Sequence, residues 1–362
     1  FKHKKPIGVW IMAYTDIDDP TLYFSSTIWT GNGVDDRAIV IDGTGMQPDF
    51  VWIKSRNDTD NHRLVDSVRG ATKHLESDGT GAEQTSSNVK AFTSTGVTLS
   101  TNGSVNANSE LYASWSWKAG TSFTNDASAT GIGTIDSTGS VNTDAGFSII
   151  SYTGNATTNA KVAHGLGVAP SMMIVKKRNG AFNWGIYHKT LTAHKLITFT
   201  TGAPDDDASY WNDVEPTSSV FNLGSGALTN GSGSTMIAYC FAEKKGYSKI
   251  SSYVGNGSNN GSFCFTGMKP SFVMIKGTNS SRWWSMQDNK RSPSNLIGDV
   301  LFANTNGAEE TNNSNYYIDF LSNGFKIRGS SVYNNNSGET YIYMAFAENP
   351  FVTSTGVPAT AR

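Results

Sequence analysis

One phrase occurs three times in this chain and constrains its fold more than any other feature. A Gly-Asn turn is followed, 15 to 17 residues later, by the proline of a Gly-x-x-Pro step, and that proline leads into an apolar run ending in lysine. The three runs cover residues 50–54, 172–176 and 272–276. Internal repetition decides the architecture of a chain before any single site can be interpreted.

Each copy also ends in a similar apolar segment. The matching segments are residues 110–117, 235–242 and 340–347. Their closing aromatic residues, Trp117, Phe241 and Phe346, lie 69 to 76 residues after the proline, and successive prolines are 122 and 100 residues apart. A repeat of this length is a domain, because solenoid repeats are only about 20 to 50 residues long. The spacing therefore predicts three modules.

The composition indicates the fold class of these modules. Charged residues make up only 16% of the chain and aromatic residues 11%, with many Gly, Ser, Thr and Asn residues between short apolar runs. Such a chain is too aromatic to be disordered, and its residues favour strands over helices. We predict an all-β protein of three tandem antiparallel β-sandwich or jelly-roll-like modules that share one repeat.

The repeat also sets the expected boundaries. We predict an N-terminal extension or linker (1–22), β module 1 (23–120), a Ser/Thr/Gly linker (121–145), β module 2 (146–246), β module 3 (247–350) and a C-terminal tail (351–362). Modules 2 and 3 have no spacer, which predicts rigid packing between them. Since proline cannot donate to a β-ladder, Pro48, Pro170 and Pro270 are expected at the first residue of a strand or just before it.

Charge and hydropathy exclude two classes of partner. A net charge of −2 and a pI near 6.3 leave no basic footprint for nucleic acid. No apolar run approaches the roughly 20 residues of a membrane-spanning helix. Cys240 and Cys264 are too few for a disulfide framework and are interpreted as buried, reduced side chains, in keeping with assembly in a cytoplasm.

Catalytic and metal-binding motifs give little support to an enzyme. The chain has no HxH, HExxH or GxSxG motif. Glu309 and Glu310 are adjacent, which does not suit two carboxylates that must flank one glycosidic bond. Asp205, Asp206 and Asp207 are the candidate ligands for calcium, with a solvated turn as the alternative. We therefore expect a non-enzymatic protein without a cofactor, calcium being the one open possibility.

Aromatic residues with polar neighbours are the best candidates for a binding site. Trp283 and Trp284 adjoin Arg282, and Tyr210 and Trp211 are bordered by Asn and Asp. Sugars stack their CH groups on aromatic rings while their hydroxyls pair with polar groups, so these five residues are predicted to bind a glycan. The alternative is that the rings fill small cores or contacts between modules.

Several phrases resemble an uncharacterised repeat domain of tailed-bacteriophage tail and tail-fibre proteins, frequent in marine and cyanobacterial phages. These phrases are residues 164–170, 184–189, 210–213, 237–243, 319–326 and 344–350. The resemblance covers roughly residues 20–351. It implies a virion location after assembly in the host cytoplasm, other virion proteins as partners and, by analogy with tail fibres, a homotrimer. It transfers no catalytic residues.

The resemblance and the aromatic residues together lead to a functional expectation. The chain is expected to be a virion structural protein, a tail-fibre or receptor-binding component that attaches to host surface glycans by multivalent binding. Two alternatives stay open. One is a non-adhesive scaffold such as a head-decoration or tail appendage protein, and the other is a glycan depolymerase.

Overall fold

The computed structural model describes residues 14–42, 45–279 and 281–360. These residues form an all-β fold of short antiparallel strands, and its α-helices are single turns of four residues. The predicted all-β, antiparallel class is therefore confirmed. Of the predicted N-terminal extension, residues 1–13 lie outside the described residues.

The strands and helices follow one another along the chain in three stretches. Up to residue 120 these are a 3₁₀ turn (Pro20–Leu22), β1 (Phe24–Thr30), β2 (Arg37–Val40), β3 (Phe50–Ser55), β4 (Arg63–Asp66), β5 (Lys73–His74), β6 (Gln84–Thr85), β7 (Val89–Thr93), β8 (Gly96–Leu99), α1 (Gly103–Asn106) and β9 (Leu111–Trp117). From 121 to 246 these are β10 (Thr121–Asn125), α2 (Ala127–Thr130), β11 (Ser137–Asn142), β12 (Phe147–Thr153), β13 (Ala160–Ala163), β14 (Met172–Lys177), β15 (Gly185–His188), β16 (Lys195–Leu196), β17 (Asp205–Asp206), α3 (Ala208–Trp211), β18 (Val220–Leu223), α4 (Ala227–Asn230) and β19 (Thr235–Phe241). The rest are β20 (Ser248–Val254), β21 (Phe263–Phe265), β22 (Met268–Gly277), β23 (Trp284–Asp288), β24 (Leu301–Phe302), a 3₁₀ turn (Ser314–Tyr316), β25 (Ile318–Leu321), β26 (Gly324–Ile327) and β27 (Thr340–Pro350).

Three large sheets have the same strand order. The first sheet runs β1-β9-β3-β4, the second contains β12-β19-β14-β15 and the third contains β20-β27-β22-β23. In each, the closing strand lies between the strand that opens the repeat and the strand that follows the proline. The registers agree as well, because each closing aromatic residue is opposite the residue two positions after the proline: Trp117 and Phe50, Phe241 and Met172, Phe346 and Phe272.

The prolines follow the prediction at two of three positions. Pro48 and Pro170 lie two residues before β3 and β14. Pro270 is instead the third residue of β22, so its predicted position was wrong. The register of β22 against β27 shifts on both sides of Pro270, and β23 begins to pair only at Phe272. A bulge of this kind accommodates a residue that cannot donate to the ladder.

A smaller set of strands covers the outer face of each large sheet. These strands are β2-β8-β7 on the first sheet, β13-β18 on the second and β21-β26-β25 on the third. Each pair of layers encloses its own apolar core, and the predicted burial of Cys240 and Cys264 is confirmed in the second and third of these cores. The arrangement is sandwich-like, and it explains why the closing segments are apolar on both faces.

The inner faces of the three large sheets meet in one shared core. At its centre the rings of Trp117, Phe241 and Phe346 contact one another, with centroid distances of 5.5 to 6.0 Å for the three pairs. Phe24 adds a stacked contact with Phe346 at 4.8 Å. The three closing strands therefore surround a common axis, and each sheet contributes to the same apolar interior.

Polar contacts link the sheets in a cycle. In each sheet, one side chain at the start of the fourth strand hydrogen-bonds a backbone carbonyl of a neighbouring sheet region. Trp184 Nε1 donates to Glu76 O (2.8 Å), and Trp284 Nε1 donates to Thr198 O (2.8 Å). His62 Nε2 donates to Phe302 O (3.0 Å). Trp52 Nε1 donates to His62 Nδ1, which places the His62 proton on Nε2. The second sheet thus binds the first, the third binds the second, and the first binds the third.

Two of these three interfaces contain a buried ion pair. At the first–second interface, the Tyr239 hydroxyl donates to Asp66 Oδ2 at 2.7 Å. At the third–first interface, Trp115 Nε1 donates to Asp288 Oδ2 at 3.1 Å. Each aspartate also pairs with the arginine three residues later, Arg69 and Arg291. A buried carboxylate is tolerated here because it is both paired and hydrogen-bonded.

The second–third interface replaces the ion pair with neutral groups. The positions equivalent to Asp66 and Trp115 are His188 and Met344, by strand register. Burial lowers the pKa of His188 to about 4, so the ring is neutral at pH 7, and its Nε2 lies 3.3 Å from Tyr343 O. Since Met344 has no donor for a carboxylate, a neutral histidine is the compatible partner.

Residues 121–145, predicted to be a linker, instead contribute strands to the second sheet. β10 and β11 form a hairpin, and β11 pairs with β12 along its whole length. Ile135 and Val141 are buried against the second sheet, and Ser137 Oγ donates to Ala163 O at 3.0 Å. The Ser- and Thr-rich composition of this segment is typical of a linker, so these apolar contacts could not be predicted from it.

The described ends of the chain contact each other. Asp18 accepts a hydrogen bond from the backbone of Ser354, and the rings of Tyr14 and Phe351 are 5.7 Å apart. Val352 and Pro358 form a β-bridge within the predicted tail. The described part of the predicted extension (1–22) therefore packs beside the described part of the predicted tail (351–362).

Candidate functional site

The structure separates the five residues that the sequence suggested for glycan binding. Trp284 is 2% exposed in the shared core, and Trp211 is 1% exposed in the outer core of the second sheet. Tyr210 is partly exposed and donates its hydroxyl to Asp205 at 3.1 Å. Arg282 forms an ion pair with Glu339 at 2.8 Å. Of the five, Trp283 lies in a cleft with other aromatic rings.

That cleft, which we call the aromatic cleft, is lined by four rings of the third repeat. Phe302 and Tyr316 are buried, and Trp283 and Tyr333 are partly exposed against them. Trp283 and Phe302 are 5.8 Å apart, Phe302 and Tyr316 5.1 Å, and Tyr316 and Tyr333 5.5 Å in a stacked arrangement. The cleft encloses about 350 Å³, within the roughly 300 to 1,000 Å³ of small-molecule sites.

Polar groups form the rim of the aromatic cleft. Thr305, Glu310, Asn313 and Asn315 line it beside the rings. The Asn313 amide donates to a carboxylate oxygen of Glu310 and accepts from the backbone N–H of Asn315 at 2.9 Å. Burial raises the pKa of the Tyr316 hydroxyl, so this ring is uncharged. The cleft thus offers apolar faces together with a carboxylate, amides and a hydroxyl.

The first sheet holds the loop that carries this rim. Glu309 forms ion pairs with Arg56 at 2.6 Å and with Arg291 at 2.9 Å, and its backbone N–H donates to Arg56 O at 2.6 Å. His62 Nε2 lies 3.2 Å from Thr305 O, in addition to its contact with Phe302 O. The third–first interface therefore positions both the floor and the rim of the cleft.

Within the described residues, the other repeats contain no cleft of the same composition as the aromatic cleft. By strand register, Trp283 corresponds to Asn61 and Asn183, and Phe302 corresponds to Glu76 and Thr198. Two positions that are polar in the first and second copies are therefore aromatic in the third. Residue-by-residue reasoning from the sequence missed Phe302 and Tyr333 as site residues. An alignment of the three copies would have identified Phe302, because there the third copy departs from the other two.

The carboxylates of the predicted calcium site do not converge. Asp205 and Asp206 are exposed in β17, whereas Asp207 caps α3 by accepting from Ser209 N at 2.7 Å. Across residues 14–42, 45–279 and 281–360, no group of three or more His, Cys, Asp or Glu side chains is placed to hold a metal ion. Two of the three aspartates therefore lie on an exposed short strand, and the third caps a helix.

Buried lysines recur at equivalent positions in the three repeats. Lys54, Lys176 and Lys276 are fully buried, and burial lowers their pKa values to about 8, 8 and 7. A lowered amine pKa can mark a nucleophile. Here, however, each Nζ donates to two backbone carbonyls, including Thr80 O for Lys176 and Thr201 O for Lys276. These amines stabilise loops through hydrogen bonds to the backbone. For Lys176 and Lys276, one of the bonded loops belongs to a neighbouring sheet region.

A known family matches the part of the sequence that forms the three large sheets. A family model described as a domain of unknown function (DUF7483) matches residues 19–350. The chain belongs to this family. The match runs from just before β1 to the end of β27, so one DUF7483 unit comprises all three large sheets and their shared core. No match was found among curated proteins or among solved structures.

The described part of this DUF7483 chain has α-helices of four residues each. None of these helices has the length and apolarity needed to cross a bilayer.

Proposed function

We propose that this chain is a non-enzymatic structural protein of a tailed-phage virion, a tail-fibre or receptor-binding component that attaches to host surface glycans through the aromatic cleft. The virion location is supported by the resemblance of its phrases to phage tail proteins. The glycan ligand is supported by one observation above the others: among the described residues, four aromatic rings meet at a polar rim in the third copy of the repeat.

The proposal includes an architecture of three sandwich-like units derived from one repeat. The common strand order and the common register of the closing aromatic residues support this reading. Since the sheets already close on one another within a single chain, a homotrimer with other copies would use surfaces outside the shared core. In a virion the unit would serve as a compact, rigid support for its loops.

The chemistry of the cleft suits a sugar. The exposed faces of Trp283 and Tyr333 can stack on sugar CH groups, and Glu310 and Asn315 can pair with hydroxyls at the rim. One shallow site of this kind gives an affinity of about 1 mM, or roughly −4 kcal/mol. Several copies on one particle would raise the overall affinity by about 10² to 10⁴.

Binding to host cells tests the proposal with a matched pair of variants. Trp283→Ala removes a cleft wall, whereas Tyr210→Ala removes a partly exposed ring that the sequence also suggested and that lies outside the cleft. Purified wild-type protein should bind host cells or their polysaccharide, Trp283→Ala should weaken binding about tenfold or more, and Tyr210→Ala should bind like wild type. Equal losses in the two variants, or no binding by the wild type, would contradict the cleft as the adhesion site.

A non-adhesive scaffold is the second candidate, and one surface favours it. Phe263 and Phe265 are 47% and 55% exposed on β21, which pairs on one side only. Exposed aromatic residues on an edge strand are typical of a surface covered by another protein. Particles on which antibodies cannot reach this chain, together with absence of host binding, would favour the scaffold.

A glycan depolymerase is less well supported by the cleft. Glycoside hydrolysis uses two carboxyl groups on either side of the scissile bond. Glu310 is the one carboxylate among the described residues that line the aromatic cleft, because Glu309 points into its ion pairs with Arg56 and Arg291. Release of reducing ends from a bound polysaccharide would favour the enzyme.

A further inference from the structure

We infer that the aromatic cleft selects neutral sugars and rejects sugars that carry a carboxylate, such as uronic or sialic acids. This inference rests on the proposed glycan-binding function and adds the substrate class. It is carried by the charges that the described residues place around the cleft. One carboxylate lies on the rim, and the nearby guanidinium groups of Arg56, Arg282 and Arg291 each pair with a carboxylate of the protein.

The negative charge is that of Glu310. Its side chain lies on the exposed rim, where the Asn313 amide holds one carboxylate oxygen. Within the described residues no Lys, Arg or His lies within ion-pair distance of it. The other oxygen is therefore available to accept from a sugar hydroxyl. A sugar carboxylate in the same place would meet a like charge at short range, which disfavours binding.

The neighbouring positive charges cannot offset this repulsion. Arg282, next to Trp283, donates two N–H groups to Glu339, whose side chain is fully buried. Arg56 and Arg291 both pair with Glu309, whose side chain is 3% exposed. Proteins that recognise acidic sugars present an unengaged guanidinium or ammonium group to the carboxylate. The aromatic cleft presents a carboxylate and amides instead.

Neutral sugars suit the same groups. A carboxylate acceptor forms strong charge-assisted hydrogen bonds with hydroxyls, and the Asn315 side chain at the rim can donate as well as accept. The two partly exposed rings favour a sugar with a CH-rich face. Selectivity would thus arise from Glu310 and stacking affinity from Trp283, so that the two properties can be separated by mutation.

A polysaccharide panel with charge-matched variants tests the inference. The probes are three neutral polymers (dextran, mannan and galactan) and three acidic polymers (alginate, polygalacturonate and hyaluronate), measured by affinity electrophoresis or interferometry at about 150 mM salt, where long-range electrostatics are screened. The proteins are wild type, Glu310→Gln, Trp283→Ala and Asp206→Asn. The last removes one negative charge from β17, outside the cleft, and controls for net charge.

The expected result is binding of wild type to at least one neutral polymer and to none of the acidic ones. Glu310→Gln should gain acidic binding by about tenfold or more, Asp206→Asn should behave like wild type, and Trp283→Ala should lose binding throughout. If wild type binds acidic polymers as well as neutral ones, or if Glu310→Gln and Asp206→Asn behave alike, the selectivity is refuted while glycan binding stands. If wild type binds no polymer, the inference and the proposed function both fail.

Discussion

The tyrosine hydroxyl at the first–second interface gives a sharp test of how the three sheets are held together. Tyr239 and Tyr247 are both fully buried in the shared core. The Tyr239 hydroxyl donates to Asp66 at 2.7 Å and accepts from Arg69 at 3.1 Å. The Tyr247 hydroxyl has no hydrogen-bond partner among the described residues. The substitutions Tyr239→Phe and Tyr247→Phe therefore each remove one buried tyrosine hydroxyl, which is hydrogen-bonded in the first case and unpartnered among the described residues in the second.

The magnitudes follow from those environments. A hydrogen bond to a charged group contributes about 1.5 to 3 kcal/mol, and losing it leaves a buried carboxylate with one donor fewer. Asp66 keeps its pair with Arg69, so we expect Tyr239→Phe to lower the free energy of unfolding by about 2 kcal/mol. Tyr247→Phe removes a hydroxyl that is desolvated without compensation, so we expect the free energy of unfolding to stay the same or to rise by up to about 1 kcal/mol.

Equilibrium unfolding in urea at pH 7 measures this difference. Far-UV circular dichroism follows the strands, and tryptophan fluorescence follows the shared core, which contains Trp117. If the two signals report the same unfolding transition, a two-state analysis is justified. If Tyr239→Phe and Tyr247→Phe shift the midpoint equally, the interfacial network contributes nothing measurable and our account of the interface is wrong.

Two further predictions address the buried lysines and the cleft loop. Because the pKa of Lys276 is about 7 when folded and about 10.4 when unfolded, the unfolded chain binds more protons between these values. The unfolding free energy should therefore rise from pH 7 towards pH 10, and Lys276 should contribute up to about 1.4 kcal/mol per pH unit to this rise. Urea titrations of Lys276→Met should show a smaller rise with pH. A rise equal to that of the wild type would contradict the prediction. Arg56→Ala should increase hydrogen exchange in residues 303–313 and weaken glycan binding, whereas the equivalent Arg178→Ala, which pairs with Glu83 at the first–second interface, should do neither.

The composition and the repeated phrases allowed the all-β, antiparallel class to be predicted. A proline that cannot donate and an aromatic residue that closes each copy mark the same two strands three times, and these strands pair in the same register. Local chemistry of this kind is readable from sequence because it recurs. Pro270 shows the limit, since a bulge depends on the partner strand rather than on the residues around it.

The shared core and the hairpin at 121–145 were not predictable in the same way. Apolar strands on both faces indicate central strands, but they do not say whether the second face meets a small outer sheet or another large sheet. The hairpin depends on apolar contacts with the second sheet that a Ser- and Thr-rich composition obscures. Both features depend on tertiary contacts between segments that are far apart in the sequence.

The candidate site was only partly predictable. The sequence suggested Trp283 and Trp284 together, and the structure leaves Trp283 partly exposed whereas Trp284 is buried. The other walls come from a distant strand and two loops, which no local pattern connects. Comparing the copies would have helped, because function in a repeated framework tends to lie where one copy differs.

The unlike chemistry of the three interfaces also fixes the order of the copies along the chain. Tandem repeats in a gene are prone to recombination that exchanges or deletes a copy. Moving the closing strand with Met344 to the position of Tyr239 would deprive the Asp66 carboxylate of the hydroxyl that donates to it. Such an exchange would bury a carboxylate with one donor fewer, so the unlike interfaces disfavour rearrangement of the copies.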